Sequence, residues 1–443
     1  MKRKLFLIAV VVLMLAASLS ALASGSIVGW GRQVVVEQSE LQNLVAVAAG
    51  GYHSLGLKSD GSIAAWGLNY SGQCNVPAPN TGFVAVAAAW FHSLGLKSDG
   101  LIVAWGSNGY GQCNVPAPNA GFVAIAAGGY HSLGLKSDGS IVAWGWNGSG
   151  QCNVPAPNTG FVAVAAGGYH SLGLKSDGSI VAWGYNNSGQ CSVPAPNSRF
   201  VAVAAGEDHS LGLKSDGSIV AWGYNNYGQC NVPAPNSRFV AVAAGYGHSL
   251  GLKSDGSIIA WGYNKDGQCN VPSPNAGFVE VAAGGAHSLG LKSDGSIVVW
   301  GSNWCGQCSV PAPNAGFVAV AAGWSHTLGL KSTLQVSIDI KPGNYPNSIN
   351  VHANGVIPVA VLSTPEFDAC TVDPSTVLFA GAQPTRSTTK DVDYDGDMDM
   401  LFHFRTQELN LASDSTEASL TGSTYDGQSI EGTDSLRIVP LGH

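Results

Sequence analysis

The sharpest chemical motif in the sequence is an acidic run near its C-terminus. Aspartates stand at alternate positions of a nine-residue stretch, namely Asp391, Asp393, Asp395, Asp397 and Asp399, and Gly396 lies inside it. Carboxylates at the first, third and fifth positions match the start of a calcium loop, because Ca²⁺ takes about six to eight oxygen ligands and the glycine permits a sharp turn. The run therefore predicts a Ca²⁺ site in which Asp397 offers its backbone carbonyl. The alternative is a solvated acidic turn.

Histidine recurs at a fixed interval and is a second candidate for metal chemistry. The histidines 39 residues apart are His53, His92, His131, His170, His209, His248, His287 and His326. A metal needs its ligands at about 2 Å, whereas equivalent positions of a ring of repeats diverge around its axis. We therefore expect hydrogen-bonded scaffold histidines and not a metal ring.

Most cysteines also occupy one repeat position. They are Cys74, Cys113, Cys152, Cys191, Cys230, Cys269 and Cys308. Equivalent positions of neighbouring repeats should lie beyond the ~7 Å Cα separation that a disulfide tolerates, so we expect small apolar residues beneath a loop. Cys305 lies outside the pattern, and a local Cys305–Cys308 disulfide stays open. Trp304-Cys305-Gly306-Gln307-Cys308 is no redox motif, because no βαβ pattern surrounds it.

The elements that position these residues form a strict internal repeat, for which residues 161–197 serve as the example. Residues 161–166, 171–175 and 179–183 read as strands, and Asp177-Gly178 between the last two is a hairpin signal. The proline-rich connector, 189–197, cannot be a central strand. Each repeat is therefore a small antiparallel sheet of about three strands, which buries its faces only by stacking on its neighbours.

The two ends of the repeat region complement each other. Residues 26–31 match the last strand of a unit without its beginning, and residues 317–332 match the beginning without the last strand. A closed ring needs one such split unit, so the sequence predicts an all-β fold, a β-propeller closed by strand exchange. Counting histidine and Trp-Gly halves gives eight blades. Seven remain an alternative, because the first connector is three residues shorter than the others.

Composition agrees with this architecture. Glycine makes up 59 of 443 residues and charged residues only 11%, against about 7% and 25% in an average chain. Low charge disfavours disorder, abundant glycine disfavours a helical bundle, and the net charge of −8 disfavours a nucleic-acid partner. The chain reads as a turn-rich β protein.

The repeat Ala-Gly-Gly-x-His-Ser-Leu-x-Leu-Lys-x-Asp-Gly-Ser-Ile-x-x-Trp-Gly-x-Asn-x-x-Gly-Gln resembles the RCC1 (regulator of chromosome condensation) repeat. The short unit, its Val-Pro-Ala connector and the opening Trp-Gly strand are more similar to the secreted bacterial branch of that family, which includes a β-lactamase inhibitor protein. The resemblance covers residues 26–332 and implies that two variable turns meet a partner.

Those turns, just before each histidine and just after each Trp-Gly, are where the copies differ. Loops on a rigid scaffold tend to carry function, and Tyr and Trp are enriched at interface hot spots. The residues expected to form the binding face are Tyr52, Trp90, Phe91, Tyr130, Trp146, Tyr169, Tyr185, Glu207, Asp208, Tyr224, Tyr227, Tyr246, Tyr263, Trp304 and Trp324. The alternative is that the aromatic residues only pave the propeller rim.

Three segments follow from these patterns. Residues 1–23 have a basic start, a 13-residue apolar run and small residues before Ser24, which predicts a secretory signal peptide. Residues 24–332 form the propeller. Residues 333–443 form a β-sandwich-like module with the calcium loop, which resembles accessory modules of secreted and surface proteins and short Asp-x-Asp-x-Asp-Gly loops.

These observations favour a secreted, cell-surface or periplasmic binding protein that is non-catalytic, monomeric and without a membrane span after signal cleavage. Its ligand would be a protein or a glycan. One alternative is an extracellular propeller enzyme acting on polysaccharide, which needs a convergent acid/base set. Another is a guanine-nucleotide exchange factor, which the signal peptide and the acidic charge disfavour.

Overall fold

The computed structural model describes residues 25–32, 41–351 and 353–439. Regular structure there consists of β-strands and three short 3-10 helices, and no helix in this part of the chain is long and apolar enough to cross a membrane. The signal peptide predicted for residues 1–23 lies outside the described residues. The chain divides into two compact units between Leu330 and Lys331.

The first unit is a set of three-stranded antiparallel sheets, or blades. Seven blades use three consecutive strands, and the eighth combines β23 and β24 with β1. The strands are β1 (Gly25–Gly31), β2 (Leu44–Ala49), β3 (His53–Lys58), β4 (Ile63–Gly67), β5 (Phe83–Ala88), β6 (His92–Lys97), β7 (Ile102–Gly106), β8 (Phe122–Ala127), β9 (His131–Lys136), β10 (Ile141–Gly145), β11 (Phe161–Ala166), β12 (His170–Lys175), β13 (Ile180–Gly184), β14 (Phe200–Ala205), β15 (His209–Lys214), β16 (Ile219–Gly223), β17 (Phe239–Ala244), β18 (His248–Lys253), β19 (Ile258–Gly262), β20 (Phe278–Ala283), β21 (His287–Lys292), β22 (Ile297–Gly301), β23 (Phe317–Ala322) and β24 (His326–Gln335).

The fourth blade, β11–β13, shows why the sequence folds this way. Its middle strand pairs with both neighbours, and Leu172 faces Ala165 on one side and Ala182 on the other. The turn between β12 and β13 contains Gly178 at φ +79°, a conformation that L side chains rarely adopt. The predicted strands and hairpin are therefore confirmed.

The hydrophobic core is distributed between successive blades. One cluster unites Leu172 and Ile180 of the fourth blade with Phe200 of the fifth and with the indole of Trp222, and each is at most 5% exposed. A Cβ at Gly173 would lie 2.6 Å from the Phe161 ring, so this glycine lets the ring lie flat on the strand. No blade can bury these side chains alone, which makes the stack cooperative.

The eighth blade closes the ring. Trp30 of β1 donates its Nε1–H to the Gln307 carbonyl at 2.8 Å, as Trp183 does to Gln151 at 2.8 Å in a complete blade. Across the closure, His326 Nε2 lies 3.0 Å from Ser54 Oγ. The propeller therefore has eight blades closed by strand exchange, and the seven-blade alternative is wrong.

The second unit is strand-rich and has its own core. Its strands are β25 (Ile338–Ile340), β26 (Ser348–Ile349), β27 (Val356–Val361), β28 (Leu378–Phe379), β29 (Pro384–Lys390), β30 (Asp399–Arg405), β31 (Glu417–Ser423), β32 (Ser429–Ser435) and β33 (Arg437–Ile438). The short 3-10 helices are Ala369–Thr371, Pro374–Thr376 and Thr406–Glu408.

Two sheets of this unit share one core, as expected for a sandwich-like module. One sheet has the order β25-β27-β30-β29, and the other contains β28, β31 and β32. Phe379 of the second sheet packs on Phe404 of the first with ring centroids 5.3 Å apart, and both are fully buried.

Candidate functional site

Both variable turns lie at the same end of every blade. In the fourth blade His170 pairs with Gly184, and Tyr185 donates its backbone N–H to the Tyr169 carbonyl at 3.0 Å. We call this end of the propeller the variable face, and the opposite end, which carries the Ser-Asp-Gly hairpins, the hairpin face. The antiparallel register thus gathers the two sequence-variable positions of each repeat on one surface.

The eight residues that stand two positions before the repeated histidines surround the propeller axis. Trp90, Glu207, Tyr246 and Trp324 stand here in four blades and glycine in the other four, at one end of an axial cavity of about 220 Å³ lined by an Ala-Gly pair from seven blades and by Ala88-Ala89 from the second. The glycines make room for the large side chains. A Cβ on Gly129 would lie 2.9 Å from the Gly168 carbonyl oxygen and 3.3 Å from the Trp90 indole, and one on Gly285 would lie 2.6 Å from the Trp324 carbonyl oxygen and 3.3 Å from its indole.

Ten aromatic residues of this face form one continuous cluster of ring contacts. Trp90 and Trp324, from the second and eighth blades, meet edge to face at a centroid distance of 6.3 Å. Tyr246 joins Trp324 at 5.1 Å, and Tyr130 joins Trp90 at 5.1 Å. The ten members of this aromatic cluster are Tyr52, Trp90, Phe91, Tyr110, Tyr130, Trp146, Tyr169, Tyr185, Tyr246 and Trp324.

The other predicted aromatic residues lie apart from this cluster. Tyr224, Tyr227 and Tyr263 form a separate group, with Tyr227 and Tyr263 centroids 4.7 Å apart. Trp304 is 89% exposed and makes no ring contact within the described residues. Tyr110, which the prediction omitted, contacts Tyr130 at 5.6 Å; its place in a variable turn was the signal that could have included it.

Two adjacent carboxyl groups adjoin the aromatic cluster in the fifth blade. Glu207 leans over Gly168, whose hypothetical Cβ would lie 2.6 Å from Glu207 Oε1. Burial, with the nearby charge of Asp208 second, raises the pKa of Glu207 to about 8. Burial also raises the pKa of Asp208, whose Oδ1 accepts a hydrogen bond from Gln190 Nε2 at 3.3 Å. At neutral pH Glu207 is therefore mostly a neutral acid.

The repeated histidines are scaffold residues, as predicted. His131 Nε2 lies 2.9 Å from Ser171 Oγ, and that hydroxyl donates to the Gln151 carbonyl. Because a serine hydroxyl has one proton, the imidazole must donate from Nε2. Burial lowers the pKa of each histidine to about 3, or to about 4 for His326.

The repeated cysteines sit beneath the turn that follows Trp-Gly. Cys191 Sγ, for example, donates to the Tyr185 carbonyl at 3.2 Å, and burial raises its thiol pKa to about 12. Such thiols are poor nucleophiles and structural in role. All nine cysteines, Cys305 and Cys308 included, are free.

The acidic run forms the loop between β29 and β30 in the second unit. One carboxylate oxygen each from Asp391, Asp393 and Asp395 lies within 4.8 Å of the others. Asp391 Oδ1 accepts from the Tyr394 N–H at 2.7 Å, which folds the loop back on itself. This oxygen-rich donor set is of the kind that a hard cation such as Ca²⁺ takes.

The last two aspartates of the run do not join this group. Asp397 is exposed, and its N–H donates to Asp395 Oδ1 at 2.9 Å. Asp399 is fully buried, and its carboxylate accepts from Ser363 N and Val392 N, both at 2.8 Å. The carboxylate of Asp399 thus ties the loop to the sheet.

Comparison with known proteins agrees with the repeat. Seven segments match the regulator of chromosome condensation (RCC1) repeat, at residues 44–73, 83–112, 122–151, 161–190, 200–229, 239–268 and 278–307. These are the seven blades built from consecutive strands, and the split eighth blade falls outside the matches. No curated protein matches the chain.

Among solved structures, Prp20p from Saccharomyces cerevisiae is similar with a TM-score of 0.50 and 20% identity, covering 71% of this chain and 93% of its own. The ectodomain of the Arabidopsis thaliana receptor kinase ACR4 has 25% identity and a TM-score of 0.46, covering 59% of this chain and 98% of its own. At this identity the likeness to Prp20p shows the fold alone, an RCC1-like propeller.

Proposed function

We propose that this chain, whose propeller is built from RCC1-like repeats, is an exported, non-catalytic binding protein that recognises a partner protein through its variable face. The proposal rests mainly on the aromatic cluster. Ten rings from the variable turns of six blades touch one another at one end of a scaffold whose other end is nearly constant. Contiguous aromatic surface of this kind is typical of interface hot spots.

Partial exposure supports a binding role over paving alone. Tyr246 is 49% exposed and Tyr110 57%, although both belong to the cluster. Interlocked rings lose little conformational entropy when a partner covers them, because they are already ordered. A glycan is the second ligand class, and a secreted β-lactamase is the narrow form of the proposal that the inhibitor-like repeats suggest.

Affinity capture with the mature chain tests this proposal. Residues 24–443 serve as bait in culture medium, beside the variant Trp90→Ala/Tyr130→Ala/Trp324→Ala. Quantitative mass spectrometry should find at least one protein enriched by the wild type and lost from the variant. A matched control, Tyr345→Ala/Tyr425→Ala, removes two side chains of the second unit that are 91% and 67% exposed and should retain that protein. Equal capture by the aromatic variant would overturn the proposal.

We further propose that the loop of the second unit binds Ca²⁺ through Asp391, Asp393 and Asp395. Bound calcium would offset the mutual repulsion of these carboxylates and order the β29–β30 connection. Tyr394 lies within this loop and is 83% exposed, so it can sensitise the luminescence of Tb³⁺, a calcium substitute.

Terbium titration of the full mature chain checks the site. Luminescence excited through tyrosine should rise, fall again when Ca²⁺ competes, and be lost in Asp393→Asn. Asp414→Asn removes an exposed carboxylate elsewhere in the same unit and should leave the signal unchanged. A signal that survives Asp393→Asn would place the ion elsewhere.

A further inference from the structure

We propose that the mouth of the axial cavity, formed by Trp90, Glu207, Tyr246 and Trp324, binds an organic cation: the guanidinium or ammonium group of a basic side chain on the partner. This inference rests on the proposed function and deepens it, because it names the chemistry that the partner must present. These four residues are the only large side chains at the innermost variable position of the eight blades.

Aromatic rings supply the first half of the recognition. Trp90 and Trp324 cross edge to face at 6.3 Å, with interplanar angle 85°, and Tyr246 meets Trp324 at 5.1 Å and 63°. Rings at such angles present faces in different directions, and the π face of Trp is the best aromatic partner of a cation. The rings would also hold an apolar ligand and favour a cation over it only modestly, so the main preference for charge must come from another group.

The carboxyl group of Glu207 supplies the preference for a cationic ligand. The Glu207 side chain makes no hydrogen bond or ion pair within the described residues, where Arg405 and Glu408 form the one ion pair. The eight innermost positions contain no Lys or Arg, and the variable turns contain two cations, Arg32 in the eighth blade and Lys265 in the sixth, neither of which is among the groups that shift the pKa of Glu207. A half-buried acid without a cation at a cavity mouth is electrostatically complementary to a cationic ligand.

The neighbouring groups make the site respond to pH. Asp208, Tyr130, Tyr169 and Tyr246 surround Glu207, and burial raises the pKa of each. None of them is a cation at neutral pH, so nothing here favours the ionised form of Glu207, whose pKa is about 8. An arriving guanidinium would stabilise the carboxylate, and Glu207 would lose its proton to solvent. Affinity for a permanent cation must therefore increase with pH.

The cavity behind the mouth is large enough to admit the head group of such a side chain. Its volume of about 220 Å³ exceeds the ~30 Å³ share of one water molecule several-fold. Apart from the four large residues, its wall consists of Ala and Gly, which offer no competing charge. A basic side chain that enters from the variable face can therefore place its head group beside Glu207, with the stem that leads back to the partner lying against the aromatic rings.

The test uses n-butylguanidinium as the probe and n-butylurea as its neutral isostere, titrated calorimetrically into the mature chain. We expect butylguanidinium to bind at least tenfold more tightly than butylurea at pH 9, and at least tenfold more weakly at pH 6 than at pH 9. Glu207→Gln should abolish the pH dependence and reduce the preference for butylguanidinium at pH 9 at least fivefold. Asp266→Asn, which removes a carboxylate from a variable turn of the sixth blade, should preserve both. Unchanged tryptophan fluorescence confirms that the variants are folded.

The outcomes separate this inference from the proposed function. Equal affinity for the two probes, or a preference and pH dependence that are undiminished in Glu207→Gln, overturns the cation site. The proposed function then still stands or falls by capture with the aromatic variant. If a captured partner binds Glu207→Gln as tightly as wild type at pH 9, the basic side chain is also excluded.

Discussion

The two ends of the propeller are built from the same strands and yet differ in kind. At the hairpin face the same local contacts recur from blade to blade: Asp177 Oδ1 accepts from the Ser179 N–H at 2.8 Å, and Lys175 Nζ lies 4.9 Å from the Phe161 ring centroid. At the variable face the side chains change from blade to blade, and only some blades contribute rings to the aromatic cluster. Residues at the hairpin face are constant because the fold requires them, whereas residues at the variable face can change without disturbing the fold.

The blades between the two faces show the same contrast between constant and variable positions. Histidine, tryptophan and leucine repeat because each completes an interblade contact that geometry fixes. Around the axis, by contrast, large side chains in four blades face glycine in the others, so their arrangement depends on which blade carries which residue. A repeat with this division can change its ligand without losing its core.

Acidification should have the largest effect on the scaffold. The folded-state pKa of the repeated histidines is about 3 to 4, below the ordinary value of 6.5, so the unfolded chain binds more protons. Stability is therefore fully present above pH 6.5 and is lost as pH falls towards 3 to 4, at up to ~1.4 kcal/mol per histidine per pH unit. The raised pKa values of Glu207 and Glu280 act in the opposite direction, because these groups release protons on unfolding, but they account for at most two protons.

Urea unfolding followed by tryptophan fluorescence between pH 8 and pH 4 measures this loss, because all 12 tryptophans lie in the propeller. His170→Asn should reduce the number of protons taken up on unfolding of the propeller by about one. A pH-independent midpoint would contradict the buried neutral histidine ring.

Loss of a scaffold indole should come next. Trp183 is 5% exposed, packs in an interblade cluster and donates its Nε1–H to Gln151. Trp183→Ala should lower the free energy of unfolding by about 3–5 kcal/mol. Trp304→Ala, at a site 89% exposed on the variable face, should change it by less than about 0.5 kcal/mol. Similar costs at the two sites would erase the distinction between scaffold and face.

The smallest effect is expected at the hairpin face. Lys175→Met removes the cation above the Phe161 ring and should lower the free energy of unfolding by about 0.5–1 kcal/mol. Partner capture should not change, because this contact lies at the other end of the blade. Lost capture without further loss of stability would show that the hairpin face binds.

Much of the fold was predictable because the same strand and turn pattern recurs eight times in the sequence. Strand periods, the Asp-Gly hairpin and the two complementary end fragments sufficed for a closed ring, and the structure resolves the count at eight. The position of each turn relative to its strand also placed both variable segments on one face. These inferences need only local patterns and the requirement that strands find partners.

Distances across the axis could not be predicted from the sequence. The contact between Trp90 and Trp324 joins residues six blades apart along the chain, and no periodicity specifies rotamers at a ring's centre. The buried bonds of Asp399 depend on Ser363, which is distant in sequence. Glu280 was missed although it alone replaces an alanine of the first strand. Burial raises its pKa to about 7, partly countered by a hydrogen bond from the Val320 backbone.

The central claim, that the variable face binds and the hairpin face does not, is tested most directly by one pair of dissociation constants. The captured partner is titrated against Trp90→Ala/Tyr130→Ala/Trp324→Ala and against Lys97→Met/Lys136→Met/Lys175→Met. Hot-spot residues contribute about 2 kcal/mol or more each, so the first variant should bind at least a hundredfold more weakly and the second like wild type. Wild-type affinity in the first variant together with loss in the second would contradict the account.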